Sequence, residues 1–164
     1  MTGVQTCALP ISGIPTLVLN RDAYADPREA DARIVAALQQ AGVAYVAMAG
    51  YMRKVTPVLL DAFPNRVVNL HPALLPSFIG AHAIQDAYEA GVKVTGVTVH
   101  FANEDYDKGP IIAQVPVPIL EGDTQDDLEA RIHATEHQIY PEVLMWIAQG
   151  RVAVDEKGHA RIAP

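Results

Sequence analysis

The sequence predicts one α/β domain: an open, mostly parallel sheet with helices on both faces. Three features lead there. Short apolar runs alternate with stretches of helical period along the first half of the chain. The run Val43–Ala49 is apolar on both faces, as a buried parallel strand should be. The length of 164 residues, half of them hydrophobic, suits one core and is too short for two ordinary ones.

The elements follow in order. Met1–Ile11 has no period and no charge and looks like a translated sequencing adapter, so 1–11 is expected to be non-native and 12–164 a partial domain. Thr16–Asn20 is a short apolar run that predicts a buried strand. Asp26-Pro27-Arg28-Glu29 supplies an N-cap, a proline at the first helical position and an acid three residues after the cap. Ala30, Ile34, Ala37, Leu38 and Ala41 then repeat at helical spacing, and Gly42 ends the helix. After the Val43–Ala49 strand, Thr56-Pro57 opens a helix through Ala62, and Arg66–Leu70 is a third strand.

The second half changes character. His82–Ala90 predicts a helix closed by Gly91, and Val94–Phe101 alternates as a strand. Ile111–Pro118 is a strand that its prolines push towards a sheet edge. Asp123 or Thr124 caps a long helix carrying Leu128, Ile132, Ile139, Val143 and Ile147, with Pro141 inside it. Arg151–Val154 and Ala160–Ile162 form a terminal hairpin around Asp155–His159.

Composition removes several classes of function. A formal charge of −7 with no Lys/Arg cluster argues against a nucleic-acid partner. No apolar run reaches the roughly 20 residues of a membrane span, so a cytoplasmic protein is expected. The single cysteine, Cys7, excludes an internal disulfide and a cysteine-rich zinc site. His82 and His100 invite a metal, but no ligand spacing accompanies them, and none is expected. There is no Gly-rich phosphate loop and no nucleophile elbow.

What remains is acid–base chemistry. Asn69 and His71 stand two apart at the carboxyl end of a strand, where open α/β sheets bind ligands, and period two aims them to one side. An amide can donate to an oxygen that is gaining charge, and an imidazole can move a proton near neutral pH. The same spacing also fits a hydrogen-bonded loop histidine. Asp107 sits in the turn Asn103–Pro110, where it either bonds its own backbone or meets His71 and favours the imidazolium. Glu136 falls on the inward stripe between Ile132 and Ile139, so it lies at the rim of the apolar face or lines a pocket for a cationic or hydroxylated ligand.

Several stretches together resemble a known family. Ala49-Gly50-Tyr51-Met52-Arg53, the run Asn69-Leu70-His71-Pro72-Ala73-Leu74-Leu75-Pro76, the segment Val99–Gln114, and Thr135-Glu136-His137 with Tyr140-Pro141 are similar to phosphoribosylglycinamide formyltransferase. The likeness runs from about Gly13 to the terminal hairpin. It implies a Rossmann-like formyltransferase fold lacking its first strands, including the Gly-Ser-Asn loop for the substrate phosphate. It implies transfer of a formyl group from 10-formyltetrahydrofolate to the amine of glycinamide ribonucleotide in purine synthesis, with no metal.

By that likeness Asn69, His71 and Asp107 match the catalytic trio. Asn69 would hold the formyl oxygen, His71 would donate a proton, and Asp107 would favour the protonated ring and relay the proton of the attacking amine. Arg28, Met52, Arg53, Lys54 and Val55, together with Asn69, match folate contacts, and Glu136 matches a ribonucleotide contact. Ile79 stands where the family usually has proline before Gly80, a change expected to soften that loop. A chain without the first strands is expected to be poorly stable and nearly inactive, and a homodimer is compatible with the family. The alternatives are formyltetrahydrofolate hydrolase, which usually carries a second histidine where Pro72 stands, and a non-catalytic folate-binding relic.

Overall fold

The computed structural model of the chain describes residues 13–19, 21–51 and 53–164. After a short 3₁₀ turn at Arg21–Tyr24 come α1 (Pro27–Gln40), β1 (Val46–Ala47), α2 (Pro57–Ala62), β2 (Val67–His71) and α3 (Ala83–Glu89). Then follow β3 (Val94–Phe101), β4 (Ile111–Pro118), α4 (Gln125–Ala148), β5 (Val152–Val154) and β6 (Ala160–Ile162). No helix among the described residues is long and apolar enough to cross a membrane.

Local chemistry sets the helix ends. Asp26 accepts from the Arg28 N–H at 2.8 Å, and Pro27 forfeits no bond because the first helical N–H has no partner within a helix. Gly42, at φ 68°, takes the left-handed turn that lets the chain leave α1. Thr124, not Asp123, caps α4: its hydroxyl accepts from Asp127 N–H while the Asp127 carboxylate accepts from Thr124 N–H at 2.9 Å. A shorter Asp thus closes the reciprocal box that Glu usually makes.

The sheet runs β1-β2-β3-β4. The α/β architecture with parallel pairing and helices on both faces is present, but the described sheet is not mostly parallel. Only β1 and β2 pair in parallel; β2 with β3 and β3 with β4 are antiparallel. The strand–helix–strand rhythm from which a parallel sheet was expected does not fix direction. The β2–β3 connection, residues 72–93, contains the seven-residue α3 and is long enough for either direction, so spacing alone could not decide it.

Two strand expectations fail at the front of the chain. Residues 13–19 form no strand, and Asn20 lies outside the described residues. Leu17 and Val18 are 55% and 70% exposed, so the apolar run has neither a packed face nor a ladder partner among the described residues. Val43–Ala49 shrinks to Val46–Ala47, at the rim of the described sheet rather than in its middle. The expectation for Met1–Ile11 also falls outside the described residues. Val94–Phe101 and Ile111–Pro118 are observed with the expected bounds, and β4 lies at a sheet edge.

Two cores confirm two covered faces. Val67 packs with Val55, Leu59, Leu60 and Phe63 beneath α1 and α2. Its neighbour Val68 packs with Val97, Val99, Phe101 and the α4 residues Leu128, Ile132 and Val143. Successive strand residues face opposite ways, so Asn69 and His71 share the Val67 side. The Tyr140 hydroxyl, shared between the carbonyls of Met48 (2.8 Å) and Val68 (3.1 Å), pins α4 to β2 and to the residue that follows β1.

The segment after β2 is held by one hydroxyl. Thr98 Oγ1 donates to Ala73 O at 2.6 Å and accepts from Leu75 N–H at 3.1 Å, both in the interior, and from Gln114 Nε2 at 3.0 Å nearer the surface. Thr98→Val keeps the shape and strands the buried Ala73 carbonyl and Leu75 N–H. The expected loss is about 2 kcal/mol, read as a lower urea midpoint at unchanged slope.

Candidate active site

Asn69 and His71 project from β2, and the antiparallel register sets His100 opposite Asn69 and Thr98 opposite His71. Asp107 comes from the turn after β3. Its φ of 55° is a left-handed conformation that Asp tolerates, and the Gly80 N–H donates to its Oδ2 at 3.3 Å. The carboxylate lies between two imidazoles: Oδ2 is 3.4 Å from His71 Nδ1, and Oδ1 is 3.7 Å from His100 Nε2. These are charge contacts rather than short hydrogen bonds. All three side chains are buried.

The remaining nitrogens define the protonation pattern. His71 Nε2 sits 2.8 Å from the carbonyl of Phe78, a group that can only accept, so this nitrogen carries a proton. His100 Nδ1 likewise donates to Phe101 O at 2.9 Å, and its Nε2 lies 3.2 Å from Asn69 Nδ2. Burial holds the His100 pKa below the usual imidazole value, outweighing the opposing pull of the Phe101 carbonyl and Asp107. Phe78 itself has φ 53°, so the loop that presents its carbonyl to His71 is sharply turned.

An open cavity beside this group is lined by Asn69, His100 and Asp107 together with Tyr51, Arg53 and Lys54. His71 does not line it; its ring lies behind Asp107 under the Phe78 carbonyl. Burial pushes the Tyr51 phenol up to about 12, helped by the charge of Asp31, so it stays a neutral hydroxyl. The Tyr106 phenol is also raised, by burial and by Asp107. An amide donor, a buried carboxylate–imidazole pair and two cations in the same lining suit acyl chemistry on an anionic molecule.

A sequence profile described as formyl transferase matches residues 7–144. The chain belongs to the formyl transferase family. It is 42% identical over 131 residues to phosphoribosylglycinamide formyltransferase of Bacillus subtilis, covering 80% of this chain and 67% of that one. It is 42% identical over 147 residues to the human trifunctional purine biosynthetic protein adenosine-3, covering 90% of this chain but 15% of that protein. The crystal structure of glycinamide ribonucleotide transformylase 1 from Symbiobacterium toebii superposes with a TM-score of 0.89 at 46% identity, over 95% of this chain and 73% of that one. A formyltetrahydrofolate deformylase from Pseudomonas syringae shares the fold with a TM-score of 0.88 at 26% identity, over 96% of this chain and 52% of that one.

In this formyl transferase chain the structure brings Asn69, His71 and Asp107 together and places the other expected residues unevenly. Arg53 and Lys54 line both the first cavity and an adjoining one, while Val55 lines the first and is buried. The Arg53 guanidinium stacks 4.0 Å above the Tyr24 ring, which orients it at the rim. Met52 lies outside the described residues. Arg28 is exposed and lines neither cavity, although its neighbours Pro27 and Asp31 line the second.

Glu136 also lines neither cavity. It sits half-buried at the rim of the α4 stripe, within 2.7 Å of His133 Nδ1, and this bond, first among its causes, raises the His133 pKa. His82 stands exposed at the N-cap of α3, and no group of three or more His, Cys, Asp or Glu among the described residues could hold a metal.

Sequence reading missed Tyr51, Tyr106 and His100 as site residues. Tyr51 and Tyr106 adjoin the residues it selected. His100 was weighed only as a metal ligand, though its place one register step from Thr98 on an alternating strand was the usable signal.

Proposed function

We propose that this chain transfers the formyl group of 10-formyltetrahydrofolate to the amine of glycinamide ribonucleotide. The observation that carries the reading is that Asn69 from β2 and Asp107 from the turn after β3 line one cavity, with His71 held against the Asp107 carboxylate. The two adjoining cavities, with Arg53 and Lys54 between them, support an elongated ligand whose carboxylates lie away from the reacting end.

The amine attacks the formyl carbon directly. The second N–H of Asn69 stabilises the oxygen as it becomes anionic. His71 stabilises the same charge and supplies a proton to the departing folate nitrogen, while Asp107 accepts the proton leaving the amine. The bond from carbon to the ribonucleotide nitrogen forms, the bond to the folate nitrogen breaks, and one proton passes from the first nitrogen to the second. His71 Nε2–H reaches the substrate only when residues 77–80 move the Phe78 carbonyl aside. Arg28, Met52 and Val55 complete the folate site in this reading, Glu136 contacts the ribonucleotide, and the enzyme works in the cytoplasm.

The chain spans 67% of the B. subtilis enzyme and 15% of the human protein, so the activity is tested on the chain itself. The purified 164-residue chain is mixed with both substrates and formylated ribonucleotide is measured. The expected result is slow product formation that requires the folate. Formate released without ribonucleotide would favour the hydrolase, and folate binding with no chemistry would favour a binding relic.

A further inference from the structure

We infer that His100 is a positioning residue whose Nε2 lone pair fixes the Asn69 carboxamide with its second N–H turned to the cavity. The inference rests on the formyl-transfer reading for its kinetic consequence but not for its geometry.

His100 is 1% exposed, and its two ring nitrogens face groups of different kinds. Nδ1 meets the Phe101 carbonyl at 2.9 Å, so the ring proton belongs there. In the uncharged ring Nε2 is then an acceptor, and the atom opposite it at 3.2 Å must be a donor. Only the NH₂ end of Asn69 satisfies that demand. The reverse flip would set the amide oxygen against the Nε2 lone pair, with the Asp107 carboxylate only 3.7 Å away adding further negative charge. One Asn69 hydrogen is therefore spent on His100. The other has no acceptor among the described residues, and Asn69 lines the cavity. The strand register makes this arrangement rigid, because Asn69 and His100 are direct cross-strand partners.

The ring also keeps Asp107 committed. A second protonated nitrogen on His100 would compete with His71 for the carboxylate. With its proton on Nδ1 the ring makes no such claim: its Nε2 faces Oδ1 at 3.7 Å, while Oδ2 faces His71 and Gly80.

The test has one arm that needs no turnover. In ¹⁵N-labelled chain at pH 7, His100 should show a protonated Nδ1 and an unprotonated Nε2, and the Asn69 side-chain NH₂ should give two distinct, slowly exchanging protons. His100→Gln, whose amide oxygen can replace the acceptor, should keep the Asn69 signals distinct; His100→Met, of similar length with no acceptor of that kind, should average them. In formyl transfer, His100→Gln should stay within about threefold of the parent, while His100→Met should lose about 30-fold in kcat with KM for the folate within about twofold. A proton found on Nε2, or equal rates for the two variants, would overturn the proposal. Absence of transfer in the parent, with the expected ring tautomer, would instead overturn the formyl-transfer reading while supporting the assignment of His100.

Discussion

Replacing His71 with Ala is expected to lower the single-turnover rate of formyl transfer by about a thousandfold, the scale of a lost general acid. The same change should leave folate affinity within about threefold, because His71 does not line the cavity and touches the site through Asp107 and the Phe78 carbonyl. The split follows from geometry. Under the proposed reading, a lining cation such as Lys54 would hold ground state and transition state alike, whereas His71, outside the lining and against Asp107, would act only once charge develops. The measurement is rapid-quench transfer alongside a binding titration. Equal transfer by variant and parent would remove His71 from the mechanism, and a parallel loss of affinity would reassign it to binding.

The second large effect concerns a residue that carries no chemistry. Gly109→Ala is expected to destabilise the chain by about 3 kcal/mol and to displace Asp107. A methyl group built at Gly109 would lie 1.8 Å from the Phe101 carbonyl oxygen and 2.9 Å from its carbon, both backbone atoms that no rotamer change can move aside. The Phe101 N–H donates to Pro110 O at 2.9 Å, so the two segments are clamped at the point where the methyl group would enter. Phe101 is itself 2% exposed within the α4-side core. Relief requires lifting the turn that carries Asp107, two residues upstream, away from His71. A urea midpoint shifted by less than about 0.5 kcal/mol in free energy would show that the turn has more room than the structure allows.

The parts of the fold that were legible are those whose determinants are local. Alternation and flanking turns gave Val94–Phe101 its bounds, prolines gave Ile111–Pro118 its edge position, and Asp26-Pro27 gave one helix start, while a second was left between Asp123 and Thr124 until the structure set it at Thr124. What was not legible depends on partners. Residues 16–19 have the composition of a strand but no ladder among the described residues, and the direction of β3 against β2 is a property of the connection rather than of either strand.

The site divides in the same way. Asn69 and His71 followed from strand period, whereas the approach of Asp107 needed a left-handed backbone at that residue and a tight passage at Gly109, neither visible in residue spacing. His100 was hidden for a further reason: a histidine's role depends on which atoms face its two nitrogens, and those came from Phe101 and Asn69.

The most direct test is a crystal structure of this chain with a folate analogue bearing a formyl group that cannot be transferred. The formyl oxygen should lie within hydrogen-bond distance of Asn69 Nδ2, about 3 Å, with the Phe78 carbonyl withdrawn and His71 Nε2 turned to the same group. A formyl group seated away from Asn69, with His71 still bonded to Phe78, would contradict the account.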